Sequence, residues 1–200
     1  MQIIIGKQSN SVIDQPTYLD MLKFRHQVFR ERLNWDVMST DKMEFDIFDT
    51  LDPYYMVAQE DQQIFGCWRL MPTTGPYMLK NTFAQLLNGQ TAPEAEDIWE
   101  VSRFAMATPE EQKKVQASFN QTTLDMFRLA VLFARQKGIR HFVSVNSLAF
   151  EKVMNRSGVI SRRFENTAPQ KIGRVRTVAC WIDINDQLMD SLFSTKAIAA

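Results

Sequence analysis

The sequence predicts an α/β or α+β chain built on one mixed sheet packed by helices. Three observations predict it. Short apolar strand patterns alternate with amphipathic helical ones, which favours a sheet covered by helices. Two of the strand patterns, 54–59 and 64–72, are joined by a polar turn, a hairpin foreign to a purely parallel sheet. Two hundred residues, 45% hydrophobic and 23% charged, suffice for one buried core, so 1–200 reads as a single domain.

The elements follow in order. "MQIIIGK" reads as a first strand and 15–32 as an amphipathic helix. Residues 33–52 have mixed polarity and no stable period, and read as a long loop with a short turn of helix. The hairpin follows, then a turn at "TTGPY"; Asn81 or Thr82 is placed to cap a short helix through Leu87. "IWEVSRFAM" (98–106) is a strand. A long helix, 120–137, ends at Gly138, whose freedom at positive φ suits a helix end. "HFVSVN" (141–146) is a strand, Ser147 caps a helix to about Arg156, and Gly158 closes it. "SRRFEN" and "RVRTVACWID" are further strands, and a short closing helix starts at Asn185.

Composition removes several functions. Net charge is zero, so bulk charge argues neither for nor against nucleic acid. Cys67 and Cys180 lie in apolar runs and read as buried thiols. No apolar run approaches the roughly 18 residues of a membrane span, and the first residues do not resemble a signal peptide; a cytoplasmic protein is expected. Neither a Rossmann fingerprint nor a P-loop is present, and no cysteine–histidine cluster has zinc spacing, so no metal is expected. His26 and His141 are solitary. A carboxylate is therefore the leading general base, and Glu100 is the best placed.

Misplaced charges mark the candidate site. On helix 15–32, Tyr18, Met21, Leu22, Val28 and Phe29 form one stripe with Arg25 at its centre. A guanidinium there either snorkels off the edge or takes partner carboxylates, for which Asp46 and Asp49 of "MEFDIFD" are at hand. Two acids near one arginine would leave acceptor capacity for a cationic ligand, with Phe29 and Trp35 as cation–π faces. In "WEVSRF", Glu100 and Arg103 are flanked by apolar residues on a central strand, and Arg69 raises the same question in "GCWRLMP". Structural ion pairing is one reading and a reactive site the other. For Glu100 and Arg103 to line one pocket, a β-bulge near Val101–Ser102 is required. Between Lys152 and Arg176 lie seven basic residues against the single acid Glu165. That window is either a solvated face or a dock for an acidic partner.

The motifs "FRHQVFRERLNWDV", "EFDIFD", "GCWRLMPTTGPYML", "TFAQLL" and "IWEVSRFAM", in this order and spacing, resemble the LuxI-type acyl-homoserine-lactone synthases, the quorum-sensing autoinducer synthases. The likeness covers about residues 1–180. "GCWRLMPTTGPYMLKNTF" is most similar to the long-chain 3-oxo-acyl branch. The resemblance implies an N-acetyltransferase-like fold, a twisted mixed sheet with a V-shaped cleft flanked by helices. It implies transfer of an acyl chain from acyl carrier protein to the amine of S-adenosylmethionine, then lactonisation with loss of methylthioadenosine. S-adenosylmethionine is then a substrate, and no cofactor is expected. Family hallmarks fall on Arg25, Phe29, Trp35, Asp46, Asp49, Arg69, Phe83, Glu100 and Arg103. The implied roles are Glu100 as base, with Arg69 and Arg103 fixing the lid or the substrate carboxylate. Arg25, Phe29, Trp35, Asp46 and Asp49 would hold S-adenosylmethionine. Phe83 and Ser144 would meet the acyl chain, and Lys152, Arg156, Arg163 and Lys171 would dock the acidic carrier. Ser144 stands where 3-oxo-selective members carry threonine. Two alternatives remain: an N-acyltransferase of the same fold using acyl-coenzyme A and another amine, or a non-enzymatic basic docking module.

Overall fold

Strands form where apolar residues alternate or run together, and three of the misplaced charges, Arg69, Glu100 and Arg103, lie within them. The computed structural model describes residues 1–113 and 119–194. After β1 (Gln2–Gly6), α1 (Gln15–Arg25) begins with Pro16 in its first turn and the Asp14 side chain accepting the Thr17 N–H. It runs on as a π-helical turn, His26–Arg32. The segment read as a loop contains a small hairpin, β2 (Ser39–Thr40) and β3 (Met43–Glu44), and a 3-10 turn, Ile47–Leu51. Then come β4 (Tyr54–Glu60), β5 (Gln63–Pro72), α2 (Met78–Asn81), a second 3-10 turn (Ala84–Leu87) and β6 (Ile98–Met106). The chain continues through α3 (Pro109–Lys113), α4 (Phe119–Lys137), β7 (His141–Ser147) and α5 (Leu148–Arg156). It closes with β8 (Ser161–Arg163), β9 (Gln170–Ile172), β10 (Val175–Asp183) and α6 (Asp186–Phe193).

The fold is mixed α/β, a mixed sheet flanked by helices. Two units divide the contacts. The first comprises Met1–Leu70 and Ser102–Met126, the second Met71–Val101 and Phe127–Ala200, so β6 begins in one and ends in the other. In the first unit β4 pairs antiparallel with both β1 and β5. Its core gathers Met21, Leu22, Val28 and Phe29 from the predicted helical stripe with Phe65 and Val57 from the strands. In the second unit β6 pairs in parallel with β7 over Ile98–Val101 against His141–Ser144. β10 lies antiparallel to β7, and β8 and β9 both pair antiparallel with β10.

Three expectations are corrected. Asn81 and Thr82 do not start a helix. Tyr77 is the N-cap of α2, and Asn81 Oδ1 accepts the Tyr77 N–H from inside that turn. The 33–52 segment has the short helical turn expected but also a two-stranded hairpin that was not, and β9 was missed because its three residues show no apolar alternation. Both cysteines are buried and free, and burial pushes the Cys67 thiol up to about 12 and the Cys180 thiol up to about 11.

Gly138 and Gly158 both follow helices at positive φ, 73° and 84°. At Gly158 an added Cβ would also overlap Ser191 Oγ, which donates to the Gly158 carbonyl at 2.9 Å. Gly158→Ala should destabilise the fold by about 1–2 kcal/mol from backbone conformation alone, with the overlap added. In urea unfolding, Gly158→Ala combined with Ser191→Ala should recover the overlap part only. A single variant as stable as the parent would show that the turn adapts without cost.

Candidate active site: a closed ring of arginines and carboxylates

Arg25 does not snorkel. It is 1% exposed, at the centre of the buried stripe, and its guanidinium meets two acids. Nη1 and Nη2 donate to Asp49 Oδ1 and Oδ2 at 2.8 and 2.9 Å, and Nε donates to Glu44 Oε2 at 2.5 Å. Glu44, 0% exposed, also takes Arg103 through Nε at 3.0 Å and Nη2 at 2.9 Å. Arg103 Nη2 reaches Asp46 Oδ2 at 2.7 Å. Asp46 in turn is clamped by Arg69 at 2.6 and 3.1 Å, and Arg69 Nη1 donates to Asp49 Oδ1 at 3.0 Å. The circuit closes: each arginine holds two carboxylates and each carboxylate is held by two arginines. Three positive and three negative charges balance within it.

Local structure presents these groups. Asp46 caps the 3-10 turn through Phe48 N–H, and Asp49 reaches back to Asp46 N–H at 2.8 Å, a reciprocal capping box. Tyr55 Oη donates to Asp49 Oδ1 at 2.7 Å. On β6, Arg103 has φ +59°, in the left-handed region a bulky residue seldom adopts. That distortion lets consecutive residues serve one cluster: Ser102 Oγ accepts from Arg69 Nε at 3.2 Å while Arg103 enters the ring itself. A regular strand would send them to opposite faces. The irregularity expected near Val101–Ser102 is therefore at Arg103.

The aromatic residues are already engaged. Phe29 stacks on Trp35 with centroids 5.2 Å apart, and Arg103 lies 5.7 Å from the Phe29 ring centre. Phe48 receives Arg69 at 5.5 Å. Trp35 Nε1 is buried without a hydrogen-bond partner among the described residues. The ring is most exposed at one edge, where the Asp46 and Arg103 side chains are 14% and 11% accessible.

Burial raises the pKa of the Asp49 carboxyl, but Arg25 and Arg69 outweigh it and hold that carboxyl well below the usual range. Burial followed by the Asp49 charge pushes the Tyr55 phenol far up, so it stays a donor. For Arg25, burial works against the charge, and Asp49 and Glu44 more than restore it.

Glu100 faces other partners. It is 0% exposed in the second unit, and its carboxylate oxygens accept the backbone N–H groups of Met78 and Leu79 at 2.9 and 2.7 Å. The opening of α2, which lacks a cap from its own sequence, is thus capped from β6. Glu100 thus holds the start of α2, while Arg103 bonds Glu44 and Asp46. On β7, Ser144 is 2% exposed and accepts from Asn146 Nδ2 at 2.7 Å. Phe83, half-buried, precedes the second 3-10 turn, its carbonyl accepting from Leu86 N–H at 2.9 Å.

Of the basic window, Lys152, Arg156 and Lys171 are exposed. Arg163 is exposed too but is clamped by Glu151 at 2.8 and 2.7 Å, and Arg162 by Asp183. Glu151 lies one residue outside the window in which only Glu165 was acidic. Sequence reasoning also missed Glu44, Tyr55, Ser102 and Asn146. Glu44 stood in the quoted "MEFDIFD", and its charge beside a predicted buried arginine was the available signal.

A mixed sheet flanked by helices, with buried charged side chains on its strands, is a framework that acyltransferases use. Relatives bear this out. An acyl-homoserine-lactone synthase of Pseudomonas aeruginosa is 42% identical over 197 residues, covering 96% of this chain and 94% of that one. The crystal structure of the AHL synthase LasI matches with a TM-score of 0.87 at 42% identity, over 96% and 94% of the two chains. TofI, solved with an inhibitor and MTA, matches with a TM-score of 0.78 at 33% identity, over 96% of each. The autoinducer synthase model matches residues 9–192. The chain belongs to the autoinducer synthases, the acyl-homoserine-lactone synthases of quorum sensing.

Two outcomes follow from the ring. Arg25→Ala deprives Glu44 and Asp49 of one arginine each, and breaking buried pairs this way should cost about 3–5 kcal/mol in denaturant unfolding. An unchanged midpoint would mean that Arg69 and Arg103 take up the load. Because the folded pKa of Asp49 lies below its unfolded value, its contribution is complete above about pH 4 and is lost as pH falls through the depressed folded value. Melting temperature should therefore fall on acidification, and the Asp49→Asn variant, although less stable, should show a shallower acid slope.

Proposed function

We propose that the enzyme uses S-adenosylmethionine as a substrate, takes its acyl group from acyl carrier protein and requires no cofactor. The observation that carries this reading is the ring, whose most exposed edge presents Asp46 and Arg103 together. Asp46 is suited to attract the sulfonium–ammonium substrate, and Arg103 or Arg69 to complement its carboxylate. Arg25, Asp49, Phe29 and Trp35 act chiefly by holding that edge in place. The α-amine attacks the thioester carbonyl, forming the C–N bond. Its proton passes through water to Glu100. Backbone N–H groups stabilise the oxyanion until the carrier thiolate leaves. The carboxylate of the acylated product then attacks its own γ-carbon. The C–O bond forms as the C–S bond breaks, and neutral methylthioadenosine departs with the sulfur electron pair.

Lys152, Arg156 and Lys171 supply the cationic face for the carrier, with Arg163 held beside them by Glu151. Phe83 and Ser144 border the acyl chain, Ser144 donating to a C3 carbonyl. The expected products carry about eight carbons or more, with a 3-oxo group favoured, the donor strength being that of one hydrogen bond. The chain acts in the cytoplasm, where both substrates are made; among the described residues no helix is long and apolar enough to cross a membrane.

Glu100→Gln cannot be silent structurally, because one carboxamide NH₂ would face a backbone N–H of Met78 or Leu79. We expect lower stability and, per folded molecule, acylation slower by about 10²–10⁴-fold. Methylthioadenosine release normalised to folded enzyme separates the two effects, and a normalised rate near the parent's would remove Glu100 from the base role. Reversing Lys152 and Arg156 to Glu should raise the KM for acyl carrier protein steeply and leave that for S-adenosylmethionine nearly unmoved. Equal changes in both, or efficient turnover with acyl-coenzyme A in its place, would count against the carrier-protein donor.

A further inference from the structure

Ser144 and Asn146 are two apart on β7, so both side chains stand on the same face of the sheet. Both are buried, at 2% and 5% exposure. Strand register puts Ser144 opposite Cys180 and Asn146 opposite Val178 on β10, and Val101 of β6 opposite Ser144 on the other side. Beside them Cys180 contacts the Glu151 carboxylate and hydrogen-bonds with the side chains of Asn146 and Ser161, and burying polar groups is costly unless their hydrogen bonds are arranged. Asn146 Nδ2 donates to Ser144 Oγ at 2.7 Å.

A serine hydroxyl has one proton to donate and two lone pairs to accept with. Once Asn146 fills one lone pair, the Ser144 proton must point elsewhere. Serine also lacks the methyl that restricts the χ1 of threonine, so nothing in its own structure selects a rotamer. The neighbouring amide supplies that selection.

We propose that Asn146 is a specificity-determining positioning residue: by donating to Ser144 Oγ it fixes the rotamer and directs the hydroxyl proton toward a C3 carbonyl of the acyl chain. The inference rests on the reading of Ser144 as the group that meets that carbonyl. In effect a serine–asparagine pair does what a single β-branched residue does by sterics. Asn146 itself touches no reacting atom. The opposite amide orientation would place Oδ1 against Ser144, consume its proton and blind it to the substituent.

The test is competition in one reaction between 3-oxooctanoyl and octanoyl thioesters, on whichever carrier supports turnover, with the ratio of lactone products as readout. That ratio is independent of how much enzyme is folded, which a merely structural role would alter. Asn146→Ala should erode the 3-oxo preference by about two- to tenfold, the loss of about one net hydrogen bond. Ser144→Ala should do the same, and the double variant should be no worse than Ser144→Ala alone, because Asn146 acts through Ser144. Ser144→Thr in the Asn146→Ala background should restore the preference by supplying the missing methyl. If Ser144→Ala leaves the ratio unchanged, the reading of Ser144 fails and this inference with it. If Ser144→Ala erodes the ratio while Asn146→Ala does not, or if the two losses add in full, Asn146 has no positioning role and the Ser144 reading stands. Should Asn146→Ala fail to fold, Asn146→Thr provides the same test, since its hydroxyl is too short to reproduce the amide contact.

Discussion

Charge balance within a closed circuit is the constraint on which the first unit depends. Arg25, Arg69 and Glu44 are each at most 1% exposed, and burying such charges unpaired would be very costly. Because each member has two opposite neighbours, the ring leaves no buried charge uncompensated, the condition under which buried ion pairs are tolerable. It also fixes conformation. The 43–51 segment buries Phe48 and packs Met43 on the core but leaves Ile47 and Leu51 exposed, so its acids add to what holds it in place. The Arg103 backbone accepts a left-handed φ, which ordinarily costs about 1–3 kcal/mol, because its guanidinium is tied to both Glu44 and Asp46.

Much of the scaffold was legible. The strands at 54–60, 64–72, 98–106 and 141–147 carry apolar runs or alternation that identify them locally, and the helix ends at Gly138 and Gly158 are marked by glycine. Arg25 was legible as an anomaly, since an arginine inside an apolar stripe demands an explanation. Its partners were not. Pairing in a ring is decided by three-dimensional placement, and the same acids could have been shared in several ways. Glu44 lies in a hairpin of two-residue strands, too short to carry a pattern, and it took a place that sequence proximity suggested for Asp46. The φ of Arg103 has no local signature at all.

Glu100 shows the opposite case. The sequence marked it as reactive, and it also caps α2. One carboxylate thus links β6 to the turn that follows β5. Fixing both oxygens with backbone donors sets the orientation of the carboxylate. In the basic window, the Glu151–Arg163 clamp pairs one cation and fixes where that guanidinium points, so the local net charge is smaller than the composition implies.

The division of the chain carries a consequence for its synthesis. Residues 102–126 complete the first unit, yet they leave the ribosome after 71–101, which belong to the second. N-terminal segments usually fold first as they emerge. Here Arg25, Glu44, Asp46, Asp49 and Arg69 would all be available with one arginine lacking, and the carboxylates would be in excess. Until Arg103 has been added, three carboxylates have two arginines to share, so the balanced ring can be completed only once the second half of β6 has been made.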